Sequence, residues 1–175
     1  MLTIALCAAL IALVVVPAGA SARCAGANAH PETTSLANVR SATLCLINQT
    51  RDRRDRRALQ SSSKLQESAT GHSRNMVKRR FFSHVGPKGD TPTTRIRATG
   101  YLRGASSWAV GENIGWGAYD RATPAAMVRA WMNSSSHRRT LLSGKYRHLG
   151  VGVVRGAPTS GVGHAATYTT DFGRN

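Results

Sequence analysis

Helical periods come first in this chain and β-rich stretches come last, and that order leaves few architectures open. Leu36, Val39, Thr43, Leu46 and Ile47 repeat at helical spacing, which predicts a first helix over about 36–54. A second stripe, Leu65, Ala69, His72 and Met76, predicts a helix over about 63–79, with serines before it available as an N-cap. The segment FFSHVGPKGDTP holds Gly86, Pro87 and Gly89 in quick succession and reads as a turn-rich loop. Thr91-Pro92 and Thr123-Pro124 each place a cap residue before a proline suited to a first helical turn. The first opens PTTRIRATG, stopped by Gly100. The second opens PAAMVRAWMN, with Ala126, Met127, Ala130 and Trp131 as its expected buried face. RHLGVGVVRG and GHAATYTTDFG then read as strands joined through APTSGV as a hairpin. Helices packed on the faces of an antiparallel sheet, an α+β fold, are the expectation.

The N-terminal stretch LTIALCAALIALVVVPAGASA is apolar and ends in the small-residue triplet Ala20-Ser21-Ala22, the pattern of a secretory signal cleaved before Arg23, with a membrane span as the alternative that its short apolar core, Pro17 and Gly19 disfavour. The expected organisation is a signal peptide over 1–22, a small polar arm over 23–35 and one domain over 36–175. Loss of the signal removes Cys7 and leaves Cys24 and Cys45 as an even pair in a secreted chain, for which a disulfide is the default and two reactive or metal-binding thiols the alternative. A link of that span stabilises a fold by about 3 kcal/mol in the chain-entropy picture.

Charge narrows the partners. The sequence has 24 Lys and Arg against 8 Asp and Glu, a formal charge of +16. Such a surface attracts anionic cell-wall polymers, lipid headgroups or nucleic acid, and export argues against intracellular nucleic acid. The densest run, RDRRDRR at 51–57, has no interleaved aromatic residue for base stacking and reads as a solvated helix face.

No HExxH, nucleophile elbow or Walker loop occurs. Among the histidines, His72 lies on an apolar stripe and reads as a core histidine held by a hydrogen bond. His84, His137 and His148 fall in loops or at helix ends, and His137 is expected just beyond a helix C-terminus, where a protonated imidazole is favoured. Glu112 stands in AVGENIGWG, with Gly111 and Gly115 expected to turn the backbone and aim it inward. Two imidazoles and one carboxylate suit Zn²⁺ with a position left for water, and suit acid–base work without a metal.

In order along the chain, LINQTR, HSRNMVKRRFFSH, GDTPTTRIRATGY, GENIGWG, WMNSSSHRRTLL, HLGVGVV and YTTDFG resemble the motifs of the CAP superfamily in its secreted bacterial branch, over about residues 36–173. The resemblance implies a three-layer α-β-α sandwich with a central, mainly antiparallel sheet and a cleft lined by two histidines and two acids. Divalent metal is associated with that cleft. His84 matches the first histidine, Glu112 the glutamate of the GEN motif and His137 the second histidine. Ser134 stands three residues after Trp131, where eukaryotic members carry the second acid, which makes Glu112 the only acid expected in the cleft. His84, Glu112 and His137 are thus both the expected cleft set and the expected zinc ligands. Family functions include lipid or sterol binding, so a small apolar ligand joins anionic wall polymers and lipids as an expected partner. Three readings follow: a secreted binding module at the cell envelope, a metal-assisted peptidase or esterase, and a purely structural triad.

Overall fold

The computed structural model describes residues 24–175, so the expected signal peptide lies outside the described residues. Helix α1 (Leu36–Asp52) is followed by a short strand β1 (Gln60–Ser61), α2 (Ser63–Arg79) and α3 (Pro92–Ala98). Strand β2 (Ala109–Ala118) runs into a 3₁₀ turn at Tyr119–Ala122, then come α4 (Pro124–Asn133), α5 (Ser135–Leu142), β3 (His148–Arg155) and β4 (Ala165–Arg174). The helix starts are local chemistry. Ser35, Ser62, Thr91 and Thr123 each turn a side-chain oxygen onto a free backbone N–H of the following first turn, and Thr91 with Thr94 closes a reciprocal capping box.

The strands form one sheet in the order β1-β3-β4-β2, antiparallel except for the parallel β1–β3 pair. Alternation along the strands gives it two packed faces. Leu149, Val151 and Val153 of β3 with Tyr168 and Phe172 of β4 meet Val39, Ile47, Met127 and Trp131, so α1 and α4 cover one side. Helix α2 covers the other, because Gly150 and Gly152 leave its backbone room. A Cβ on Gly150 would stand 2.1 Å from the Leu65 carbonyl carbon, and one on Gly152 2.3 Å from that of Ala69. This is the three-layer sandwich implied by the motifs.

Several local expectations change. The first helix ends at Asp52, two residues early, and Asp55 takes a left-handed φ of 54° just beyond it. Arg51, expected on a solvated face, is wholly buried and donates to the carbonyls of Leu141 at 2.7 Å and Ser143 at 3.0 Å. On α4 the buried face is Pro124, Met127, Val128 and Trp131, while Ala130 faces solvent. His148 opens β3 and is bonded to the Tyr101 hydroxyl at 2.7 Å. Cys24 and Cys45 form the expected disulfide, with Cα atoms 5.7 Å apart. The arm it tethers is held elsewhere too, since Arg155 donates to the carbonyls of Pro31 at 2.9 Å and Thr34 at 3.1 Å.

Candidate functional site

Glu112 lies in the middle of an extended strand, not in a turn, and the glycines around it serve a different purpose from the one expected. A Cβ on Gly111 would meet the Tyr146 hydroxyl at 2.3 Å, and one on Gly115 the Met127 sulfur at 2.4 Å. They admit neighbours on the α4–α5 side of β2, while strand alternation sends the Glu112 side chain to the opposite, α2 side. There the carboxylate is 1% exposed and both oxygens are engaged. Oε1 accepts from His84 Nδ1 at 2.7 Å, and Oε2 from Arg95 Nη2 at 2.6 Å. An ionised carboxylate only accepts, so Nδ1 of His84 carries a proton. The other ring nitrogen belongs to a side chain 48% exposed and has no hydrogen-bond partner among the described residues.

Arg95 holds the assembly together. Its Nη1 donates to the Asp90 carbonyl at 2.8 Å and to Asp90 Oδ2 at 3.3 Å, and its Nη2 also reaches the His84 carbonyl at 3.1 Å. One guanidinium therefore ties the start of α3 to the loop carrying His84 and to strand β2. His72 anchors the same loop from α2: it is fully buried, and its Nε2 donates to the Ser83 carbonyl at 2.9 Å. That is the hydrogen-bonded core histidine expected from its stripe. Burial holds its pKa below the usual 6.5, against the opposing pull of Glu112.

His137 is placed differently from expectation. Helix α5 starts at Ser135, so His137 sits in its first turn, where the helix dipole disfavours a cation, and not beyond a C-terminus. Burial first and the proximity of His84 second hold its pKa below 6.5. Its carbonyl accepts from Asn113 Nδ2 at 3.0 Å, and Asn113 alternates with Glu112 along β2. His84 on Glu112 and the His137 carbonyl on Asn113 thus meet β2 from opposite faces of the sheet.

The expectation that Glu112 is the only acid here is overturned. Asp171 is its cross-strand partner on β4, is 0% exposed, and has no hydrogen-bond partner on either oxygen. Burial, reinforced by the Glu112 carboxylate, pushes its pKa well above the usual 3.8, while Ser68 and Arg95 pull the other way. Asp171 and Arg95 are the residues that motif reading missed. Each left a faint signal: Asp171 is the one carboxylate in the run Ala165–Gly173, and Arg95 directly precedes Ile96, the buried residue of α3.

These shifts set opposite pH dependences. The native state holds the Asp171 proton more tightly than the unfolded chain, so its stabilising effect is complete below 3.8 and is lost as pH rises through the native value. Native His72 binds its proton more weakly, so stability is lost as pH falls below 6.5. Asp171→Asn, neutral at every pH, is expected to gain stability relative to the parent as pH rises from 4 to 7, measured as the difference in Tm at the two pH values. An equal difference at both would show that Asp171 does not titrate with folding.

Zinc is the group to test against this geometry. Of the expected ligands, Glu112 has one oxygen on an imidazole and the other on a guanidinium, and among the described residues no group of three or more His, Cys, Asp or Glu is placed to hold a metal ion. The residues as arranged do not fit Zn²⁺. Arg95 is the cation beside this carboxylate.

A three-layer domain with a histidine, carboxylate and arginine joined at the edge of its sheet defines a class more than a reaction. The sequence pattern of the cysteine-rich secretory protein (CAP) family matches residues 44–170, and the chain belongs to that family. It is 34% identical over 109 residues to the uncharacterized protein YkwD of Bacillus subtilis (strain 168), an alignment covering 62% of this chain and 40% of that relative. An extracellular protein containing an SCP domain from Bacillus anthracis superposes with a TM-score of 0.63 at 25% identity, over 81% of this chain and 44% of that one. An outer surface protein from Borrelia burgdorferi superposes with a TM-score of 0.60 at 20% identity, over 75% of this chain and 89% of its own. The chain therefore spans less than half the length of its Bacillus relatives. Among the described residues no helix is long and apolar enough to cross a membrane.

Proposed function

We propose that this chain is a secreted, non-enzymatic binding module that engages polyanions of the cell envelope, with the His84–Glu112 cleft as part of its binding face. The observation that carries this reading is that both oxygens of Glu112 are committed. A carboxylate held by His84 and Arg95 positions an imidazole and a guanidinium at a surface; it does not offer an open ligand position. The formal charge of +16 adds long-range attraction to anions. Secretion is supported by the Cys24–Cys45 disulfide, by the leader-like N-terminus, and by the extracellular and outer-surface relatives.

Binding to acidic polymers or anionic vesicles is expected to weaken steeply between low and high salt, because each phosphate or carboxylate contact releases a counterion. Binding that is unchanged across the salt range would sink the proposal. One observation favours turnover instead: the unpartnered nitrogen of His84, backed by Glu112, has the make-up of a general base. Hydrolysis of a peptide or ester panel by the parent, abolished in His84→Ala, would replace the binding module with that reading.

A further inference from the structure

Helix α2 breaks two rules of helix construction on the same face. Gly71 sits in its interior, where glycine is unfavourable, yet nothing lies within 4 Å of the position a Cβ would take, so no packing demand explains it. One turn further on, Arg74 and Lys78 stand four residues apart and Arg79 beside them, a like-charged row that repels itself. None of these three cations makes a hydrogen bond or ion pair with the described chain. Gly71, Arg74, Lys78 and Arg79 line one groove, whose far wall is Asp90 and Arg95. Lys78 and Arg79 gain from the helix dipole in the last turn of α2, which leaves Gly71 and the Arg74–Lys78 repulsion as costs without a structural return, of the kind expected where function requires them.

The charges of the groove specify its ligand. Asp90 is already paired with Arg95, and Arg95 with Glu112, which leaves three uncompensated cations. A monocarboxylate would neutralise one of them. A phosphate group, or successive phosphodiesters along a chain, carries the multiple charges and acceptor oxygens that arginine forks and a lysine can share.

We propose that this α2–α3 groove binds phosphate groups of an anionic polymer or lipid, with Gly71 keeping its end open and Arg95 joining it to the His84–Glu112 cleft. The proposal rests on the binding-module reading and names the chemistry of its partner. Three probes test it: a polyphosphate chain, vesicles of anionic phospholipid in neutral lipid, and polyglutamate as a charged polymer without phosphate. The variant Arg74→Gln/Lys78→Gln/Arg79→Gln is compared with Arg53→Gln/Arg54→Gln/Arg57→Gln, which removes the same charge from an exposed segment elsewhere.

The groove variant is expected to lose at least about ten-fold in affinity for a phosphate probe and to lower the salt slope by about three, with much smaller changes in the control. Gly71→Leu is expected to melt higher than the parent and still bind more weakly, which separates loss of the site from loss of the fold. Binding of polyphosphate alone assigns a polymer, and binding of vesicles alone assigns a lipid surface. Equal losses in the two triple variants would overturn the groove and leave the binding module standing. Polyglutamate bound as tightly as the phosphate probes would overturn the phosphate assignment. No binding of any probe by the parent would overturn both readings.

Discussion

Glu112→Ala is expected to lower the stability of the folded domain by about 3 kcal/mol, the low end for breaking a buried ion pair. The loss falls on the partners left behind. Arg95, whose side chain is 11% exposed, keeps Asp90 Oδ2 and two carbonyls but loses its shortest bond. His84 loses the acceptor that fixes its ring. Asp171 moves the other way, because removing the Glu112 charge takes away one of the forces raising its pKa, and this offsets part of the cost. Urea titrations of parent, Glu112→Ala and Glu112→Gln measure the effect, with the amide variant expected in between because it keeps the shape and an acceptor oxygen. The differences are expected to be the same with and without added zinc. A destabilisation confined to zinc-containing buffer would show that a metal, not Arg95, is the cation this carboxylate serves.

Gly152→Ala is expected to cost about 3 kcal/mol or more, at or beyond the upper end for an overpacked core. The added methyl group would stand 2.3 Å from both the Ala69 carbonyl carbon and the Thr70 nitrogen, and these are backbone atoms that no rotamer change can move. The helix itself must lift from the sheet, taking with it the Ser73 hydroxyl that donates to Thr169 Oγ1 at 2.8 Å, and His72, which anchors the His84 loop. Gly144→Ala is the control, since nothing lies within 4 Å of its Cβ position and its φ is not left-handed. Thermal or urea unfolding of the two variants measures the contrast. Similar melting temperatures for both would mean that α2 is not seated where β3 requires.

The groove and the cleft share α2 and Arg95, so the two faces of the proposed module are mechanically linked. Arg95 lines the groove and holds Glu112 with one guanidinium.

What the sequence determined by itself was whatever depends on neighbours a few residues apart. Ser62, Thr91 and Thr123 satisfy free N–H groups within their own first turns, so the starts of α2, α3 and α4 were legible, as was the hairpin of β3 and β4 around its turn residues. Motif order reached further, pairing His84 with Glu112 across 28 residues, because that spacing belongs to the family and not to any local rule. Tertiary structure alone decided the rest. Glycine serves a tight turn and a close approach equally well, so the letters of GENIGWG suggest a turn, although it is a strand whose glycines admit Tyr146 and Met127. Asp171 joins Glu112 only through the register of β2 on β4, and Arg51 is buried only because α5 ends over it. An arginine in a charged run and an aspartate in a strand have the same composition whether solvated or enclosed; what encloses them is chain from far along the sequence, and its packing sets their partners and their role.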